Sequence, residues 1–203
     1  MSQNLILFDF DGVLLNNKKI NDYVVNKSVE YVEKRVHCSK SRAKIINDKV
    51  YNKLGHTAKL FGNHKKAVQD YNDFVFNENT LKDVIKLLNE NDEKHFNDVI
   101  RMKKDFTYGI FTNTSSIWYT TILDHYNIFN SFDSNYCFDS DNGLIKPTPM
   151  SYDSINQCVP SNLNIHFLDD NKLNIPPGCS YDRWSSYLIL DNLSIYWILN
   201  SVY

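Results

Sequence analysis

The chain has no excess of positive charge, no C-x-x-C pair and no long apolar run, and each absence removes a class of function. Twenty-two Lys and Arg stand against 24 Asp and Glu, for a formal charge of -2. The basic footprint of a protein that binds nucleic-acid polymers is therefore missing. Charges of both signs are interspersed, so no polybasic block addresses a membrane surface. The apolar stretch near the N-terminus is short and runs at once into acids. It fits neither a signal peptide nor a spanning helix, and no later stretch is long enough to span. Cys38, Cys137, Cys158 and Cys179 are scattered, which reads as free thiols in a reducing, cytoplasmic compartment. No Cys and His stand at ligand spacing, so zinc is not expected. The 203 residues suit one large domain or a core with a small insert, without internal repeats or low-complexity linkers.

What is present begins with Leu5-Ile6-Leu7-Phe8-Asp9-Phe10-Asp11-Gly12. Apolar residues at successive positions suit a strand buried on both faces of a parallel sheet. Residues i and i+2 of a strand point the same way, so Asp9 and Asp11 address one space at its carboxyl end. Gly12 lets the chain turn sharply there. Two close carboxylates repel, so either one takes a proton or a cation joins them. An acidic turn with no chemistry is the plain alternative.

Downstream, Ile20, Tyr23, Val24, Tyr31 and Val32 recur at helical spacing. A second helix is expected from about Ser41 to the stop at Gly55, and a third from Lys65 to about Phe76. Residues 17–88 carry no strand signal and read as a helical insertion. A helix over Phe96–Lys104 leads to a strand over Thr107–Asn113, and a helix follows along Ile117, Trp118 and Ile122. Further strands are expected at Tyr136–Phe138, Asn164–Leu168 and Ser186–Leu190. The segment from Asn192 to Tyr203 suits a closing strand, a packed helix or an interface equally well. Strands alternating with helices mean an α/β fold, a parallel sheet with helices on both faces.

Polar residues at four strand ends make sense together: Asp9 and Asp11, Thr112 and Asn113, Lys146, and Asp169 with Asp170. Four carboxylates on one edge call for a divalent cation. Lys146 and the helix start after Asn113 add positive potential suited to a phosphate. Singly, each has a bland reading: Thr112-Asn113 as a helix cap, Lys146 as a solvated loop charge, Asp169-Asp170 as a turn. Their joint order is what those readings leave unexplained.

In that order, Asp9-Phe10-Asp11-Gly12-Val13-Leu14, Phe111-Thr112-Asn113, Lys146-Pro147-x-Pro149 and Leu168-Asp169-Asp170 resemble the four motifs of the haloacid dehalogenase-like (HAD) hydrolases. The resemblance covers nearly the whole chain. It implies a Rossmann-like core over 1–16 and 89–203, with a small all-helical cap domain at 17–88. It also implies the roles. Asp9 is the nucleophile that forms an aspartyl-phosphate, and Asp11 is the acid and base. Thr112 and the Asn113 backbone N–H hold phosphoryl oxygens, and Lys146 neutralises charge. Asp170 and Asp169 anchor Mg²⁺ together with Asp9 and the Asp11 carbonyl. Dehalogenases usually lack the second acid, so Asp11 favours phosphate chemistry.

The expected activity is Mg²⁺-dependent hydrolysis of a small phosphomonoester, with nucleoside monophosphates among the candidates. A sugar phosphomutase and a non-catalytic phosphate- or partner-binding module are the alternatives. Tyr51 to Thr57 is similar to a cap segment of pyrimidine 5'-nucleotidase-like members, which makes Gly55 and His56 candidate substrate contacts. Gly12-Val13 departs from the Asn-Thr usual there and brings the chain nearer to sugar-phosphate phosphatases and phosphomutases; as a whole it is also similar to phosphoglycolate phosphatase-like members. A plain helix-turn-helix link explains Gly55-His56 equally well. The other histidines read as structural.

Overall fold

The computed structural model describes residues 3–62, 65–102, 106–175 and 182–201. His64, Lys104, Cys179 and the last two residues, which entered the expectations above, lie outside them. Five parallel strands form one sheet: β1 (Gln3–Phe8), β2 (Phe106–Phe111), β3 (Cys137–Phe138), β4 (Leu163–Asp169) and β5 (Trp184–Leu188). Their order across the sheet is β3-β2-β1-β4-β5. β1 is central because both its faces are apolar. Leu5 and Leu7 join one core cluster, with Phe111, Ile165, Phe167 and Trp184. Ile6 and Phe8 join the other, with Tyr108, Ile110 and Leu168. All four β1 side chains are fully buried, each contributing about 1.5–3 kcal/mol against exposure.

The first cluster is closed by Tyr152 and Ile155 of α7 (Pro149–Cys158). The second is closed by α5 (Glu90–Arg101), α6 (Ser116–His125) and α8 (Asn192–Ser201), through Phe96, Trp118 and Leu199 among others. Helices thus cover both faces. The C-terminal segment is a helix, α8, with Ile195, Ile198 and Leu199 turned inward.

Between β1 and β2 the chain is helical, as its periodicity indicates. It runs through α1 (Lys18–Val36), α2 (Lys40–Leu54), a 3-10 turn at Thr57–Phe61, α3 (Lys65–Val75) and α4 (Glu78–Ile85) before α5. α1 packs on α2 and α3, whereas α4 packs on α6. Asn17 caps α1 by accepting from the Lys19 and Ile20 N–H groups, and Ser39 caps α2. Gly55 ends α2 in the left-handed region at φ 74°.

Several expectations shift: β2 ends at Phe111 rather than Asn113, and β3 starts at Cys137 because Tyr136 closes a 3-10 turn. The helix expected over Phe96–Lys104 starts earlier, at Glu90, because Asn89 and Asp92 form a reciprocal capping box. The edge strand expected over Ser186–Leu190 is Trp184–Leu188. Trp184 is buried against Tyr152 and Phe167, while Leu190 is 80% exposed.

Candidate active site

The site lies at the carboxyl end of the sheet, where open α/β sheets place ligands. Asp9 follows the last residue of β1, its N–H bonded to the Leu168 carbonyl of β4. The loop beyond it is tight. Asp9 Oδ1 accepts from the Phe10 N–H at 2.7 Å. Gly12 N–H bonds Leu15 O, and Leu15 N–H bonds Phe10 O. Gly12 has φ +87°, and a Cβ there would stand 2.2 Å from Asp170 Oδ2. Only glycine lets this loop pass that close to Asp170.

Lys146 is the electrostatic centre. Its side chain is wholly buried, with Nζ 3.0 Å from Asp9 Oδ1 and 2.5 Å from Asp169 Oδ2. The ammonium also lies 5.2 Å from the ring centroids of Phe111 and Phe167, within range of the negative ring faces. Burial alone would pull its pKa down, but Asp169 and Asp9 outweigh it and hold the pKa above its ordinary value. Asp169 is itself fully held. Its two oxygens accept from Asn174 Nδ2 at 3.1 Å each, and Oδ1 accepts from the Asn171 N–H.

Asp9, Asp169 and Asp170 offer carboxylate oxygens that all lie within 4.8 Å of one another. Burial, then the charge of Asp169, drives the Asp9 carboxyl well above the usual range against the pull of Lys146. Burial and the charge of Asp169 push Asp170 up to about 6. Crowded hard oxygens, with Asp9 and Asp170 held back from ionising, are the donor set that a divalent cation relieves. The Asp11 carboxylate is outside that group. Trp118 of α6 donates Nε1–H to both its oxygens, at 3.0 and 3.2 Å. Burial lifts the Asp11 pKa to about 7, although the indole bond lowers it. The metal contact expected of Asp11 runs through its backbone carbonyl, so the two arrangements are compatible.

Thr112 is buried just past β2, its hydroxyl paired with that of Thr114 at 2.9 Å. The Asn113 side chain is a three-way tie. Oδ1 accepts from the Lys146 N–H, and Nδ2 donates to the carbonyls of Lys146 and Gly55. A Cβ on Gly55 would come within 3.1 Å of Lys146 O and Pro147 Cδ, so glycine is needed for α2 to approach this closely. His56 and Gly55 line the same cavity as Asp9, and the His56 imidazole is engaged within the fold. Its Nε2–H donates to Asn113 O at 3.1 Å, and Nδ1 accepts from the Ala58 N–H. Burial, with the Lys59 charge, lowers its pKa to about 4. Both ring nitrogens of the neutral imidazole are thereby taken, and His56 ties the turn after α2 to the end of β2.

These groups open into a cavity of ≈ 800 Å³, lined from the sheet side by Asp9, Asp11, Thr112, Asn113, Asp170 and Asn174. α1 and α2 supply the facing wall, with Val24, Asn47 and Tyr51 among its residues.

A family model described as haloacid dehalogenase-like hydrolase matches residues 6–166. The chain belongs to the haloacid dehalogenase-like hydrolases. Among solved structures, the fold is similar to that of a HAD phosphatase from Thermococcus onnurineus, at TM-score 0.55 and 14% identity, covering 97% of this chain and 98% of that one. No curated protein matches the chain.

Within this HAD-like hydrolase, sequence reasoning missed Trp118 and Asn174, the groups that hold Asp11 and Asp169. Trp118 sat on an ordinary helical stripe, and Asn174 in a polar stretch after Asp170. Neither carried a signal, because each role depends on where a distant element crosses. His95 bonds Val13 O, and His166 bonds Tyr187 and Asn4, in keeping with structural roles. No helix among the described residues is long and apolar enough to cross a membrane.

Proposed function

We propose that this hydrolase is a Mg²⁺-dependent phosphomonoesterase that works through an aspartyl-phosphate on Asp9. One observation carries the reading. A wholly buried Lys146 binds Asp9 and Asp169 together, behind the cavity floor that Asp9, Asp11 and Asp170 line. Such a floor suits a phosphoryl group, whose transfer depends mainly on positioning and electrostatics.

In the first step an Asp9 oxygen bonds to phosphorus, and the bond from phosphorus to the leaving oxygen breaks. Asp11, whose pKa burial lifts to about 7, gives its proton to the departing alkoxide. In the second step water attacks phosphorus, Asp11 takes back a proton, and the Asp9 carboxylate is released with inorganic phosphate. Thr112 Oγ1 and the Asn113 N–H bind phosphoryl oxygens, and Lys146 offsets their charge. Trp118 keeps Asp11 aimed through both steps. Asp9, Asp169, Asp170 and the Asp11 carbonyl would hold Mg²⁺, which would supply charge neutralisation for the phosphoryl group. Residues 17–88 act as a cap over this site, in keeping with the share of the cavity wall that α1 and α2 contribute.

Purified protein with Mg²⁺ is expected to release inorganic phosphate from a panel of nucleotides, sugar phosphates and p-nitrophenyl phosphate. Chelation or Asp9→Asn is expected to abolish the release. Folded, Mg²⁺-loaded protein that turns over nothing on that panel would overturn the reading. An isomerised sugar phosphate without free phosphate would replace it with a mutase.

A further inference from the structure

The two walls of the cavity differ in charge. On the sheet side, Lys146 and the carboxylate cluster serve one phosphoryl group. The wall built by α1 and α2 carries Asn21, Asn47, Asn52 and Tyr51, with apolar Val24 and Val25 between them. Its charged members include Asp48, and Asp191 lines the rim near Ile189. Among the described residues, Lys18 is the one cationic side chain lining the cavity. It is paired with Asp22, and its side chain is 86% exposed, so it points its charge at water.

Taken from water, an anion needs a cation or several N–H donors. The α1–α2 wall turns no cation inward, and its carboxamide donors come paired with carboxamide oxygens that repel an anion. Hydroxyls and amides, by contrast, match carboxamides and a phenol that can both give and accept. We propose that this wall selects phosphomonoesters whose leaving alcohol is uncharged and rich in hydroxyl or amide groups, and turns away those whose alcohol carries a carboxylate or second phosphate. The inference rests on the phosphomonoesterase reading and narrows it. Phosphoglycolate falls in the rejected class, and a nucleoside or polyol monophosphate in the accepted one.

Glycerol 3-phosphate and 3-phosphoglycerate test this directly, because they share a skeleton and differ by a CH₂OH against a carboxylate. With Mg²⁺, kcat/KM is expected to favour glycerol 3-phosphate by at least about tenfold, equivalent to roughly 1.4 kcal/mol. Asp48→Lys is expected to raise the value for 3-phosphoglycerate relative to glycerol 3-phosphate. Calorimetric binding of the two compounds to Asp9→Asn protein gives the same comparison without turnover. A Kd ratio near one, or in favour of the carboxylate, would overturn the selectivity. A tenfold Kd ratio with no phosphate released by the wild type would support the selectivity and overturn the phosphatase reading instead.

Discussion

Replacing Lys146 by Met isolates the charge at the centre of the pocket. Met fills nearly the same volume, so packing changes little and the measurement reports the lost ammonium. Its Nζ lies 3.0 Å from Asp9 and 2.5 Å from Asp169, and neither Lys146 nor Asp169 has any exposed side chain. At an effective dielectric of about 20, each contact is a gross attraction of about 5–7 kcal/mol. Desolvation of the three groups offsets most of it. Removing one partner of a buried pair costs about 3–5 kcal/mol, because the remaining charges are left uncompensated. Metal-free Lys146→Met protein should therefore lose about 3–5 kcal/mol near pH 8 in urea unfolding, with the m-value unchanged.

The pH dependence of that loss has a definite sign. Burial and the charge of Asp169 already hold the Asp9 carboxyl well above its ordinary pKa, with Lys146 pulling it back. Without Lys146 it rises further. A group whose folded pKa exceeds its unfolded value contributes stability that is complete below the unfolded pKa and is lost as pH rises through the folded one. The deficit should accordingly shrink as pH falls and Asp9 takes up a proton. A loss below about 1 kcal/mol near pH 8, or a deficit that does not shrink on acidification, would refute the reasoning.

Gly12→Ala should weaken divalent-cation binding at least about tenfold and cost about 1–2 kcal/mol of stability, because its Cβ meets Asp170 and its φ is positive; calorimetric metal titration beside urea unfolding checks both. In metal-free protein, Asp11 and Asp170 have folded pKa values of about 7 and about 6, above their unfolded values. Thermal scans should then show the melting temperature rising from about pH 8 to about pH 5, and added Mg²⁺ should raise it more at the alkaline end. Asn72 of α3 donates to Ser140 Oγ at 2.8 Å and to Asp141 Oδ1 at 2.9 Å, tying the helical segment to the loop after β3. Asn72→Ala should cost about 1–3 kcal/mol in chemical denaturation.

Much of this molecule was legible in one dimension, because burial on both sides of a parallel strand leaves an unbroken apolar run. Leu5 to Phe8 is such a run, and Asp9 follows it as the chain leaves the sheet. The same logic marks Thr112 after β2 and Asp169-Asp170 at the end of β4, so strand ends and their polar residues are local properties. The helical stretch between β1 and β2 was readable from spacing alone. The edge strand was less so. Ser186 to Leu190 is as apolar as a strand needs, but its register is set by Trp184 packing on Tyr152 and Phe167, which no local pattern records.

Which side chains would face one another was decided by the tertiary structure. His56 stands in sequence as an imidazole available to a ligand; only the fold brings Asn113 O to one nitrogen and the Ala58 N–H to the other. Trp118 and Asn174 read as filler until α6 crosses beneath Asp11 and the chain after β4 curls back on Asp169. The order of apolar and polar residues along a strand is short-range information, and the sequence alone determined it. Electrostatic partners are long-range, drawn together by packing between elements that can lie more than a hundred residues apart, and their geometry existed only once the sheet had closed.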